Sequence, residues 1–245
     1  MPVWTEIDAP RLATVRRTPL RATFIERPHR FAARCRLRGG REAVAHVPNP
    51  GRLTGVLAPR CELLLDGPHP PTRTLTYTML AAKAGGTWVG TNTLYANRVF
   101  PALVAHGLFP EFEAGVIRAE VAHGHSRFDF RVGGMMVEVK SVTLAAGGGG
   151  RFPDAVSARA ARHCDELAAL TASGHPSAIV FVAQRGDVES VAPEDDVDPA
   201  FGIALRGAAT SGVMVLACAL DIMPEGATRA RRVPVSLREL DQRAS

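Results

Sequence analysis

Short runs of alternating apolar and polar residues fill the first third of the chain. They are LATVRR from Leu12, LRATFIE from Leu20, FAARCRL from Phe31, EAVAHV from Glu42, CELLLD from Cys61, TLTYTML from Thr74 and TWVGT from Thr87. Gly and Pro clusters separate them: Gly39-Gly40, Pro48 to Gly51, Pro68 to Pro71 and Gly85-Gly86. A period of two with regular turn signals predicts a small β-barrel or sandwich, and the length of the region suits an OB-like barrel. The period changes after Thr91. Asn92 is placed to cap a helix through Leu94 to Ala105 that stops at Gly107. Three strand-like runs follow, VIRAEVAH, SRFDFRV and MMVEVKSVTL, then a flexible Gly147–Gly150 loop. The segment DAVSARAARHCDELAALTAS has apolar spacing near 3.6, predicting a helix opened at Asp154 and ended by Gly174. SAIVFVAQ and VMVLACALDI predict buried strands around a further helix over 199–210. The order helix, three strands, helix, strand, helix, strand predicts an α/β domain with a mixed sheet, α+β overall once the barrel is included. The expected division is 1–86 barrel, 87–228 α/β domain and 229–245 polar tail.

The hairpin between SRFDFRV and MMVEVKS fixes a register. Gly133-Gly134 is a two-residue turn signal, so Phe130 faces Val137 and Phe128 faces Val139 on one face. On the other face Asp129 lies opposite Glu138, with Lys140 on the same side of its strand as Glu138. If Gly124-His125 is also a tight turn, Glu120 faces Asp129, giving a row of Glu120, Asp129 and Glu138. Opposed like charges destabilise a sheet, and a bound cation is the natural compensation. Oxygen ligands favour Mg²⁺ or Mn²⁺. A divalent ion held by Asp129 and Glu138, with Glu120 assisting, suits phosphodiester chemistry. Lys140 then serves the attacking water or the phosphate charge. Only Lys83 and Lys140 among the 29 basic residues are lysine. Lysine can change protonation state and arginine effectively cannot, so Lys140 is singled out.

Charge adds a partner. Residues 1–83 carry 14 Lys+Arg against 6 Asp+Glu, and residues 84–245 carry 15 against 18. A basic lobe beside a slightly acidic one implies a polyanion, most simply DNA, with RNA not distinguished. Arg17, Arg34 and Arg36, with Arg16 and Arg30, are candidates for a phosphate-tracking surface. His46, Asn49, Gly51 and Arg52 lie in a loop that is either a phosphate contact or simply turn chemistry. Asp154, His163 and Asn92 are further candidates for the cleft. No run approaches the roughly 18 to 20 apolar residues of a membrane span, and the first residues lack a signal-peptide pattern. Cys35, Cys61, Cys164 and Cys218 are widely separated, which excludes a Cys-x-x-Cys zinc site. The expectation is a reduced, cytoplasmic protein.

The D…E-x-K pattern in this strand order resembles the PD-(D/E)xK nuclease superfamily. Over about Leu12 to Leu220 the chain also resembles the sugar fermentation stimulation (SfsA) family. The resemblance rests on HVPNPGRLTG (46–55), NTLYAN (92–97), SRFDF (126–130), VEVKSVTL (137–144), FPDAVSARAARH (152–163) and VAQRGD (182–187). It implies an N-terminal OB-like domain, a C-terminal nuclease-like domain and DNA binding. It also implies a place near the metal site for Gln184. Pro50, Ala160 and Arg162 depart from the family pattern. Two functional classes follow, a metal-dependent nuclease and a regulatory DNA-binding protein that keeps the fold without cleavage.

Overall fold

A computed structural model of the chain describes residues 6–9, 18–70, 72–112, 115–124, 126–225 and 228–238. The LATVRR run and Arg16 and Arg17 lie outside the described residues. Strand β1 (Glu6–Ala9) belongs to the sheet of the second domain. The barrel begins with β2 (Leu20–His29) and continues through β3 (Ala32–Leu37), β4 (Glu42–His46), β5 (Glu62–Asp66) and β6 (Tyr77–Ala84). β2 pairs with both β3 and β5, β3 with β4, and β5 with β6. β4 then closes the ring by running parallel to β6. This is the five-stranded neighbour order of an OB fold. The period-two pattern explains it: Ala22, Phe24, Ala33, Cys35, Leu63, Leu65 and Met79 are buried inside, while charged residues alternate outward.

β7 (Thr87–Gly90) pairs with β6, so the barrel sheet extends past the expected boundary at residue 86. The cause is the turn. Gly85 and Gly86 both have positive φ (56° and 89°), which makes the pair a tight hairpin rather than a linker.

The second domain starts with helix α1 (Leu94–Ala105). Its N-cap is Thr93, not Asn92, and Thr93 makes no side-chain capping bond; Asn92 Oδ1 accepts the Leu94 N–H at 3.0 Å in a turn just before the helix. Then come β8 (Ile117–His123), β9 (Ser126–Val132) and β10 (Met135–Val142). The Gly147–Gly150 stretch, expected as a loop, is instead the turn and first half of a hairpin between β11 (Leu144–Ala146) and β12 (Gly149–Phe152). Only Gly147 and Gly148 turn the chain, both with positive φ. Gly150 packs closely against Val142 and Val191, leaving tight room for a β-carbon.

Helix α2 (Ala158–Ala172) begins later than expected. Its N-cap is Ser157, whose hydroxyl accepts the Ala160 N–H, and not Asp154. The Asp154 carboxylate is already engaged in the barrel, so tertiary structure overrides the local capping signal. β13 (Ser177–Ala183), β14 (Ser190–Pro193), α3 (Pro199–Thr210), β15 (Met214–Ile222) and β16 (Thr228–Arg232) complete the chain. The supposed tail thus opens in a strand, because Ala230 and Val233 are buried against the sheet.

The main sheet has the order β1-β16-β15-β13-β10-β9-β8. The β10-β13-β15 centre is parallel and both flanks are antiparallel. Tyr95, Val99 and Phe100 of α1 cover one face over Val137, Val139, Val180 and Val182. Cys164 and Leu167 of α2 and Phe201 and Leu205 of α3 cover the other over Ile179 and Phe181. β13 is buried on both faces at every position, as a central parallel strand must be. All four cysteines are free. Burial pushes the Cys164 and Cys218 thiols up to about 12, so they act as small apolar core residues. Among the described residues no helix is long and apolar enough to cross a membrane.

Candidate active site and the cleft beside it

The β9–β10 hairpin turns at Gly133-Gly134 in the expected register, with Val132 opposite Met135 and Phe130 opposite Val137. The ladder ends there. The next β10 donor toward β9, the Val139 N–H, is taken at 2.8 Å by Oδ2 of Asp129 and not by a backbone carbonyl. Asp129 thereby holds the two strands apart at the level of Glu138 and Lys140. Its Oδ1 accepts from Asn97 Nδ2 of α1 at 2.6 Å. Burial, and then the charge of Glu138, push the Asp129 carboxyl up to about 6.

Glu138 is 4% exposed and Lys140 8% exposed. Glu138 Oε1 accepts from Lys140 Nζ at 2.7 Å and from His163 Nδ1 of α2 at 2.6 Å. Burial on its own would raise the Glu138 carboxyl. The His163 hydrogen bond and the Lys140 charge outweigh it and hold the group below its ordinary value. Arg159 Nε points at His163 Nε2 at 3.4 Å, which sets the ring hydrogen on Nδ1, facing Glu138. The second oxygen of Glu138, Oε2, is buried and has no hydrogen-bond partner. A buried carboxylate oxygen without a donor is costly. Here it lies beside a second carboxylate whose charge is already disfavoured.

Glu120 does not join them. His125 of the expected turn lies outside the described residues; Ala119 faces Phe130 and Val121 faces Phe128 as expected, but Glu120 itself has φ 57°. That left-handed kink breaks the alternation, and the side chain leaves the face it was expected to share. It pairs instead with Arg127 at 2.8 Å on the exposed surface. The three-carboxylate row is therefore a pair, Asp129 and Glu138. Among the described residues no group of three or more His, Cys, Asp or Glu side chains converges as a metal cage.

The remaining candidates divide by position. Gln184 is fully buried at the end of β13, where its Nε2 donates to Asn92 O and Ser141 Oγ, both at 2.7 Å. Its backbone carbonyl accepts the Gly90 N–H at 2.7 Å, so Gln184 ties the barrel, α1 and β10 together. Arg34 and Arg36 lie on the outer barrel wall, paired with Glu26 (2.9 Å) and Glu42 (3.1 Å). Neither reaches the site.

The loop 46–55 does face the second domain. Asn49 is buried, and its Oδ1 accepts the Gly51 N–H at 2.8 Å in a local turn. Asp154 crosses from the second domain to accept the Leu53 N–H at 3.3 Å. It packs onto Gly51 so closely that a β-carbon there would collide with its carboxylate. Gly51→Ala is expected to expel Asp154 and cost about 1–3 kcal/mol, read as a lower midpoint in urea. Arg52 is exposed on the same loop, and His46 is exposed at the end of β4 that leads into it.

Between this loop and the second domain lies a cleft of about 780 Å³. Arg27, His29, Arg30 and Arg52 line its barrel side, and Ser141, Thr143 and Ser157 line the other. Ser141 directly follows Lys140 on β10, so its side chain projects to the opposite face of the sheet, and Asp129, Glu138 and Lys140 do not themselves line the cleft. Arg27, which is not among the sequence candidates, organises the basic wall. Its guanidinium donates to the carbonyls of Arg52 (2.7 Å), Arg30 (2.5 Å) and Asn49 (3.1 Å). No local signal marks such a residue, because its acceptors include carbonyls 22 and 25 positions away.

Both halves match known families. Residues 25–91 match the SfsA N-terminal OB domain, and residues 94–226 match the sugar fermentation stimulation protein RE domain. A sugar fermentation stimulation protein homolog of Symbiobacterium thermophilum is 39% identical over 238 residues, covering 89% of this chain and 95% of that one. The homolog of Rhodospirillum centenum is 40% identical over 220 residues, covering 85% and 94%. The structure of Pyrococcus furiosus SfsA in complex with Ca²⁺ superposes with a TM-score of 0.83 at 26% identity, covering 93% of this chain and 99% of that one. On sequence along nearly its whole length and on fold in both domains, this chain belongs to the sugar fermentation stimulation protein (SfsA) family.

Proposed function

We propose that this protein binds DNA and hydrolyses phosphodiester bonds at Asp129, Glu138 and Lys140, with Mg²⁺ or Mn²⁺ as cofactor. The observation that carries the reading is Glu138 Oε2. It is a buried carboxylate oxygen with no donor, next to Asp129, whose ionised form the site already disfavours. Both features are relieved by a hard cation. Two carboxylates are sufficient for Mg²⁺, which is commonly held by one or two carboxylates with waters and substrate phosphates filling the other positions. The P. furiosus relative was solved in complex with Ca²⁺, another oxygen-seeking cation.

Asp129 and Glu138 are the residues that would hold the ion. When bound it acidifies a water and neutralises phosphate charge. The chain's own groups do the rest. Asn97 and the Val139 N–H fix the Asp129 carboxylate between the strands. His163 fixes Glu138 through Oε1, leaving Oε2 available. Because His163 shares that oxygen, Glu138 keeps an anchor when Lys140 turns toward a phosphate. The Lys140 ammonium then stabilises the charge that develops on the phosphoryl oxygens. Arg52 and Arg30 on the basic wall of the cleft offer donors for a phosphate backbone near the end of β10 that follows Lys140.

The test is incubation of the purified protein with labelled single-stranded, duplex and branched DNA in millimolar Mg²⁺ or Mn²⁺. Cleavage is expected with metal and none with chelator, and DNA binding is expected to weaken steeply as salt rises. Salt-sensitive binding without cleavage of any substrate would favour the non-catalytic, regulatory reading instead.

A further inference from the structure

We infer that the strand which enters the cleft is single-stranded DNA, guided there by a track on the loop end of the barrel. This rests on the DNA reading above and goes beyond it in naming the form of the substrate. The track begins at Arg73 and His46. Partial burial, and then the nearby charge of Arg73, hold the His46 imidazole below its ordinary value. His46 pairs across the sheet with Ala32, so it stands beside the β2–β3 turn of Arg30 and Phe31. Arg30 and Arg52 then open into the cleft.

The turn is built rather than loose. The Phe31 N–H donates to His29 Nδ1 at 3.3 Å, and the Phe31 carbonyl accepts the Val47 N–H at 2.9 Å. Arg27 clamps this turn and the 49–52 loop with one guanidinium. Two loops are thus held at a fixed spacing on the barrel side of the cleft. Asp154, the one carboxylate among the described residues lining the cleft, is turned onto Leu53 and Gly51 and so does not oppose a polyanion along the basic wall.

Three features select a single strand over a duplex. First, the track carries exposed apolar surface where a phosphate-only surface needs none. Phe31 is 43% exposed with the Arg30 guanidinium 5.9 Å from its ring centre, and Val156 on the opposite lip is 73% exposed. An aromatic face beside arginines is the arrangement on which unpaired bases stack. Second, the cleft has the volume of a small-molecule pocket, within the range of about 300–1000 Å³. It accommodates a few splayed nucleotides and not the face of a double helix. Third, the elements presented beside the cleft are tight turns, and among the described residues the barrel carries no helix to enter a major groove. The β2–β3 turn is also the first loop of the OB barrel, one of the loops through which that fold meets oligonucleotides.

The experiment is fluorescence anisotropy of the full chain with dye-labelled oligothymidylate of about 16 nucleotides, the upper site size of one OB fold. A mixed-sequence duplex and an oligouridylate of the same length run beside it, without divalent metal. The single DNA strand is expected to bind at least about ten-fold tighter than the duplex, and Phe31→Ala to weaken it by about ten-fold while leaving duplex affinity and the melting temperature unchanged; Arg30→Ala is expected to weaken the single strand by about ten-fold and the duplex by less, with the melting temperature unchanged. Both side chains are exposed, so the fold survives their truncation. Equal or tighter binding of the duplex, tighter binding of the uridylate, or unaltered affinity in both variants overturns this inference and leaves the phosphodiesterase reading standing. Failure to bind any of the three polymers overturns that reading as well.

Discussion

Asp129→Asn and Lys140→Ala are each expected to lower metal-dependent cleavage by about 10²–10³-fold or more, with the circular dichroism spectrum unchanged. In Asp129→Asn the new carboxamide keeps an oxygen for the Val139 N–H or the Asn97 amide, so the parting of β9 and β10 survives. It loses the charge that holds a divalent ion. Lys140→Ala removes the ammonium proposed to meet the phosphate but leaves Glu138 anchored by His163. The two variants differ in a second readout. Asp129→Asn loses the Mn²⁺-dependent rise in melting temperature, and Lys140→Ala retains it, because stabilisation by a ligand requires only that the native state bind it. Cleavage at wild-type rates in both variants would place the chemistry elsewhere.

Stability in the absence of metal is expected to move in opposite directions at the two carboxylates. Glu138→Ala strips the buried Lys140 ammonium of its 2.7 Å partner and leaves the His163 Nδ1 hydrogen without its acceptor. Breaking a buried ion pair from one side costs about 3 kcal/mol, which in a chain of this size lowers the melting temperature by roughly 6–12 °C. Asp129 has the other sign. Its folded carboxyl sits at about 6, above the ordinary 3.8. A carboxyl raised by folding favours the fold below its unfolded value and loses that advantage as pH rises through the folded one. At pH 8 the ionised Asp129 therefore costs the metal-free fold, and Asp129→Asn is expected to be more stable than wild type by about 1–2 kcal/mol. The gap closes as pH falls from 6 toward 4. Urea melts of both variants at pH 8 and pH 4.5 measure the contrast. Equal losses at both positions would mean that burial, not charge, dominates the site.

The site was legible in the sequence where local rules were in force. Gly133-Gly134 fixed the hairpin, period two put Glu138 and Lys140 on one side, and the rarity of lysine singled out Lys140. The strand and helix order, a small barrel or sandwich and the mixed sheet followed from periodicity for the same reason, while the OB-like form rested on the length of the region and the family resemblance. What failed was what tertiary contact decides. Nothing in IRAEVAH announces a left-handed Glu120, since neither a glycine nor an asparagine marks the kink. Asp154 is a good cap by type, but its carboxylate finds Leu53 N–H about a hundred residues away. Gly147 to Gly150 looked uniformly flexible, yet half of the run is a strand paired with Ser190–Pro193. Arg27 and Asn97 act through partners distant in sequence and give no local signal.

The cleft changes how the two domains are understood. The barrel is not a module tethered beside an independent enzyme. Gln184 joins Gly90, Asn92 and Ser141, and Asp154 seats the 49–53 loop, so the barrel wall and the end of β10 hold one geometry. Both the basic loops and the carboxylate pair are positioned before a ligand arrives. Preorganisation of this kind lowers the ordering cost of binding.

The most direct measurement is a calorimetric titration of the metal-free protein with Mn²⁺, for wild type, Asp129→Asn and Glu138→Gln. The expected result is saturable binding in wild type that disappears in both variants while their folds persist. Binding of the same strength in all three proteins would contradict the assignment of Asp129 and Glu138 as the cation site.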